Sequence, residues 1–365
     1  MRARLRGVAA LVALVTVLSG CSEERPASTV PPPSGSVWVA DEGRDSLTVI
    51  DAATGSVAMT LTGITAPHNV QVGGDGSVVY AVSSAGVVVA IDPTTYAVTA
   101  VAPTGPDPAH VIEAPNGKVY VTNSGDGTVS VYRAPGLTPV GRITVNGMPH
   151  GLRPAAGGSM IVVANTRTGA LDLIDPATDR YVGSVPVGTR PAQVAVSADG
   201  TYAYTGIGEP PSVVKVDLSQ RRMVGSAPVP TSPVQVYLSP DEQTVLSANQ
   251  GSRAQPGDTV SMIDTATMTS RATVTTGAGP HGVVIDASGT WAWVTNTYAD
   301  TVTPIDLTSL TASTPIPVGT GPNGISYSPR APAAAATDVI ALQIPAPATS
   351  TPAPTDSGAH SGHGH

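Results

Sequence analysis

The chain has 365 residues, a formal net charge of −8 and only 12% charged residues. That acidic balance gives no electrostatic footprint for nucleic acid, and a single cysteine excludes a disulfide framework. Phe is absent, so Val, Ala and Thr must fill whatever core the chain builds.

The N-terminus carries a localisation signal. Arg2, Arg4 and Arg6 precede an apolar run from Gly7 to Leu18, followed by Leu18-Ser19-Gly20-Cys21. A basic start, a short apolar run and small residues describe a secretory signal peptide, and the run is too short for an ordinary spanning helix. Leu-Ser-Gly-Cys resembles a bacterial lipobox, which implies cleavage before Cys21 and lipidation of its sulfur. Residues 1–20 are therefore expected to be removed. Residues 21–35 (CSEERPASTVPPPSG) read as a Pro-rich tether that stands the mature protein off a membrane in the cell envelope.

From Pro67 onward a hexapeptide returns seven times. It reads PHNVQV from Pro67, PAHVIE from Pro108, PHGLRP from Pro149, PAQVAV from Pro191, PVQVYL from Pro233, PHGVVI from Pro280 and PNGISY from Pro322. The intervals are 41, 41, 42, 42, 47 and 42 residues. Periods of this length point to a propeller or a similar array. In the second period, PAHVIE is followed by KVYVTN (118–123), TVSVYR (128–133) and PVGRITV (139–145), all short and rich in strand formers. Four strands per period and seven periods predict an all-β, seven-bladed β-propeller over residues 36–329. The last period stops after PNGISY, and its three missing strands are VWVADE (37–42), SLTVID (46–51) and SVAMTLT (56–62). Blade seven is thus expected to be closed by both termini.

Tyr120-Val-Thr-Asn123, with Trp293-Val-Thr-Asn296 and Val162-Val-Ala-Asn165, resembles the YVTN-repeat (YncE-like) propeller family over roughly residues 36–329. The resemblance implies a fold far more than a function.

Four of the seven histidines, His68, His110, His150 and His281, stand at the start of the Pro-led strand, which in a propeller lines the central channel. His68, His150 and His281 follow Pro directly, where blade seven carries Asn323, and fall in blades one, three and six. These three imidazoles, with Asn323 beside them, form a candidate metal site; His110 sits one residue later, in register with Asn69, Gln193 and Gln235. The alternative is a strand start whose imidazoles hydrogen-bond across the channel. Loops expected on the same face include DEGRD (41–45) and a lengthened, irregular NQGSRAQPGD (249–258). Asp41, Asp45, Asp126, Glu209, Asp258 and Asp300 are its candidate acids. Aspartates in VIDAATG (49–55), AIDPTT (90–95), LIDPAT (173–178) and MIDTAT (262–267) open tight turns and are structural.

Residues 330–365 form a low-complexity tail in which DVIALQIP (338–345) is apolar enough to dock as an edge strand. It ends in His360, His363 and His365, a second candidate metal-binding tract. No P-loop, dinucleotide fingerprint, HExxH, GxSxG or catalytic cysteine is present. The first reading is a lipid-anchored, monomeric binding or scaffold module with its ligand at the His-bearing mouth. That ligand is a small molecule, a metal ion (Cu, Ni or Zn) or a cell-envelope protein. The alternatives are a propeller enzyme of lactonase, lyase or metal- or quinone-dependent oxidoreductase type, and an envelope metal-handling protein.

Overall fold

The computed structural model describes residues 31–155, 157–334 and 337–347. Cys21, the leader 1–20 and His360, His363 and His365 lie outside the described residues. Within them, each period folds into one antiparallel sheet, seven sheets in all. The innermost strands are Pro67–Val72, Pro108–Ala114, Pro149–Pro154, Val194–Val196, Val236–Leu238, Pro280–Ile285 and Pro322–Ser328. Each touches the next, and Pro322–Ser328 touches Pro67–Val72, so the ring is closed.

Closure is made by the chain ends. Ser36–Asp41 pairs with Pro322–Ser328, with Ser36 opposite Ser328 and Val39 opposite Ile325. Blade seven is therefore built from both termini, as the split last period predicts. The core lies in the seams between blades rather than inside any one sheet. Trp38, Met59 and Leu61 of blade seven, for example, meet Val70, Val79 and Ile91 of blade one, all fully buried or nearly so. A sheet with both faces covered needs small branched residues on both, which is why Val-rich strands serve here without Phe.

Two expectations are sharpened. Val339–Ala341 does dock as an edge strand, pairing in parallel with Ser56–Thr62, and Leu342 is buried in the seam between blades seven and one. The sequence read 249–258 as an irregular loop, but Thr244–Ser252 and Gln255–Asp264 form one extended hairpin with Ser252 opposite Gln255. Gly251, at φ +66°, supplies the left-handed residue beside the turn, and Arg253 lies over the Tyr298 ring at 4.9 Å.

Candidate functional site

The start of the Pro-led strand is bulged. In blade one Pro67 pairs with Ser83 but Val70 pairs with Ala81, so His68 and Asn69 together oppose one residue. Blades two, three and six show the same shift, at Pro108/Val111, Pro149/Leu152 and Pro280/Val283. A bulge of this kind takes two successive residues out of strict alternation. Both the first and the second residue after Pro therefore reach the channel end, which erases the register difference that set His110 apart.

The YVTN-like residues hold this strand in place. Thr122, fully buried, accepts a hydrogen bond from the His110 amide at 3.0 Å and donates to the His150 carbonyl of the next blade at 2.6 Å. Thr295 does the same between the Gly282 amide (2.7 Å) and the Asn323 carbonyl (2.8 Å). One hydroxyl thus ties two neighbouring channel strands. The following Asn123 accepts from the Gly105 amide at 2.9 Å and donates to Thr128 and Ser130, and Asn296 repeats that pattern with Gly277, Thr301 and Thr303. Glycine after His150 and His281 has a local reason. A Cβ on Gly282 would lie 2.5 Å from the Asn323 carbonyl oxygen, and one on Gly151 would lie 2.7 Å from the Gln193 Cα. Pro-His-Gly is thus a channel imidazole followed by a residue thin enough for the next blade.

At the mouth the imidazoles converge. Ligand-competent atoms of His68, His110 and His150 all lie within 4.8 Å of one another. Ring centres are 5.5 Å apart for His68 and His110, 5.1 Å for His68 and His150, and 4.8 Å for His110 and His150. His281 is the outer member, 6.4 Å from His68. The structure therefore brings His68 and His150 together as the sequence suggested, places His110 in the tight group and leaves His281 at its edge.

Hydrogen bonds define which nitrogens are free. His150 Nδ1 lies 2.9 Å from the Ala192 carbonyl, which only an N–H can satisfy, so its Nε2 carries the lone pair. That Nε2 faces His68 Nε2 at 3.2 Å. On the far side of His68, Nδ1 lies 3.2 Å from Glu42 Oε1 and 3.1 Å from the Asn323 amide nitrogen, which itself donates to Glu42 Oε2 at 2.7 Å. Gln193 accepts from the Val194 amide at 2.9 Å, so its amide nitrogen points at His110 Nδ1, 3.3 Å away. His281 Nδ1 and Asn323 Oδ1 are buried without a hydrogen-bond partner among the described residues.

Burial holds His110, His150 and His281 neutral. Burial, then the neighbouring His150 and His68, hold His110 well below the ordinary imidazole value. Burial and the charge of His68 bring His150 down to about 4, while burial, His68 and His150 bring His281 to about 3. For Glu42, burial works against the carboxylate. Hydrogen bonds from His68 and Asn323 and the nearby imidazoles outweigh it and hold the group at about 2. Neutral imidazoles beside an anionic carboxylate are the protonation states that a cation-binding site requires.

The sequence missed Glu42. It lies in the DEGRD loop, folded as a 3₁₀ turn over Glu42–Arg44, and only that turn aims it at His68 and Asn323. Four of the six acids singled out in its place serve the loops. Asp41 accepts from the Gly319 amide, Asp45 from the Ala66 amide and Asp300 from the Gly321 amide, while Asp126 pairs with Arg142. Asp51, Asp92, Asp175 and Asp264 each cap the amide two residues on, at 2.7–2.9 Å, as the turn reading predicts.

No family profile and no curated protein matches this chain. Solved structures do. A functionally unknown protein from Desulfotomaculum acetoxidans superposes with a TM-score of 0.69 at 13% identity, covering 81% of this chain and 99% of that one. A candidate 6-phosphogluconolactonase from Bacteroides fragilis gives 0.67 at 17% identity, covering 83% and 99%. Hydrazine synthase of Kuenenia stuttgartiensis gives 0.66 at 20% identity, covering 73% and 91%. Identities this low show a shared propeller fold, and the neighbours' functions differ from one another.

Proposed function

We propose that this protein is a binding module whose ligand is a late first-row divalent metal ion, Cu(II), Ni(II) or Zn(II), held at the His-lined mouth of the propeller channel. The observation that carries the reading is the 3.2 Å approach of His68 Nε2 to His150 Nε2, with each ring held from behind through Nδ1. Two nitrogens bound at about 2.0–2.1 Å to a tetrahedral zinc stand roughly 3.3–3.4 Å apart, close to the spacing seen. Carboxylate and carbonyl acceptors behind the ligating rings are the usual outer support of such sites.

The residues divide the work. His68 and His150 offer Nε2, His110 completes the tight group, and His281 with Asn323 borders it. Ala192 keeps the His150 proton on Nδ1. Glu42 is the positioning residue for His68. His68 donates from Nδ1 to Glu42, and a proton is shared between the two facing Nε2 atoms. Metal displaces that shared proton, leaving Nδ1–H on Glu42 and both Nε2 lone pairs free. The rigid ring presents these atoms already converged, so little ordering entropy opposes binding.

Placement in the envelope belongs to the same proposal. The Leu18-Ser19-Gly20-Cys21 signal supports a lipid-anchored, extracytoplasmic protein, and the tail histidines supply a second, weaker capture tract. Calorimetric titration of the chain with Cu(II), Ni(II) and Zn(II) tests the reading. One equivalent should remain when His360, His363 and His365 are replaced and vanish in His68→Asn/His150→Asn. Heat that disappears with the tail histidines alone would refute a channel site.

A further inference from the structure

The other end of the channel carries a different chemistry. Arg153 is the fifth residue of PHGLRP, and Tyr237 holds the same position in PVQVYL. They border a cavity of about 180 Å³ whose wall also includes Ala195, Val196, Val236 and Leu238. We infer that this cavity is an anion seat in which Arg153 and Tyr237 bind a small carboxylate.

A guanidinium carries five N–H donors and a fixed positive charge. Arg153 spends one donor on the Leu152 carbonyl, from Nη1 at 2.9 Å, and makes no other hydrogen bond among the described residues. Ion pairs among the described residues include His68–Glu42, Lys118–Asp179, Arg142–Asp126 and Arg271–Asp264, and Arg153 takes part in none. The surrounding protein opposes its charge, since burial lowers its pKa and only Tyr237 acts the other way. The Tyr237 hydroxyl likewise has no hydrogen-bond partner among the described residues, and burial raises its pKa, which keeps it a neutral donor.

A half-buried cation without a counter-charge is unfavourable, and an unused guanidinium fork is a ready receptor for a planar two-oxygen anion. The side chains of Ala195, Val196, Val236 and Leu238 give part of the wall an apolar surface that covers a short carbon skeleton and favours a small organic acid over a fully hydrated inorganic ion. A monocarboxylate of a few carbons, or one end of a short dicarboxylate, matches the cavity.

The seat shares no residue with the metal site, although the Arg153 charge reaches His110, and it is tested without metal. Acetate and succinate are titrated in the low-millimolar range at constant ionic strength against sodium chloride, reading thermal unfolding and heat of binding. The wild-type chain should show a saturable rise in Tm of about 2 °C or more. Arg153→Gln should abolish that rise, and Tyr237→Phe should weaken binding several-fold. Without carboxylate, Arg153→Gln should be at least as stable as wild type, because it removes the unpaired charge. An unsaturable effect, a rise unchanged in Arg153→Gln, or an Arg153→Gln chain less stable than wild type in chloride alone would each overturn the inference.

Discussion

Asp41→Asn should stabilise this propeller, and its effect should depend on pH. Blade seven carries Asp41 where blades two and six carry Asn123 and Asn296. The backbone acceptor role is kept, with the Gly319 amide 3.1 Å from Oδ1, but Thr48 and Ser46 must donate to Oδ2, at 2.6 and 3.1 Å. The residue is fully buried, and desolvation outweighs those hydrogen bonds and lifts the carboxyl from 3.8 to about 6. A folded-state value raised by some two units means that the folded chain binds the proton more tightly than the unfolded chain. That stability is present below pH 4 and lost as pH rises through 6. At 1.36 kcal/mol per unit, the burden at pH 8 is on the order of 3 kcal/mol. Asparagine carries no charge, and its amide can donate to the same two hydroxyls, as in the sister blades. Unfolding by urea at several pH values from 4 to 8 should show Asp41→Asn ahead by about 1–3 kcal/mol at pH 8 and level with wild type near pH 4. A variant no more stable at pH 8, or a difference that ignores pH, would refute the reasoning.

Glu42→Gln should weaken metal affinity by about 10–100-fold in calorimetry and also lower Tm in chelator at neutral pH, because a carboxylate held at about 2 stabilises the folded chain above its ordinary 4.5; an affinity within twofold of wild type would contradict this. His281 is held neutral down to about pH 3, so its contribution to stability is present above its ordinary 6.5 and lost as pH falls. His281→Asn, the residue that blade seven carries at this position, should therefore unfold less readily than wild type in acid while matching it near pH 8. Leu342→Ala, which empties the seam under the docked tail strand, should cost about 2–3 kcal/mol in urea unfolding. An effect near zero would show that the tail strand adds nothing to the closed ring.

The ring was legible in the sequence because every blade repeats one backbone problem. Pro at the strand start, Thr and Asn at the end of the second strand and Asp at the turn each answer a local hydrogen-bonding need, and local needs leave periodic residues. The site was legible only in part. His68 and His150 stand out by register, but His110 joins them through a bulge, which alters side-chain direction without altering spacing. Glu42 depends on one 3₁₀ turn unique to its loop, and no periodicity marks it. The extra residues after Asn249 look like loop by composition, yet their backbone groups pair with each other and lengthen a hairpin. Arg153 reads as one arginine among several until its strand is placed in the channel, where no acid meets it.

The central claim is that His68 and His150 share a metal ion. Crystals grown with Zn(II), and diffraction data collected across the zinc absorption edge, test it most directly. The account predicts an anomalous peak between the two Nε2 atoms, about 2.0–2.1 Å from each, with Glu42 still bonded to His68 Nδ1. A channel mouth without that peak, at zinc concentrations that saturate the calorimetric signal, would contradict it.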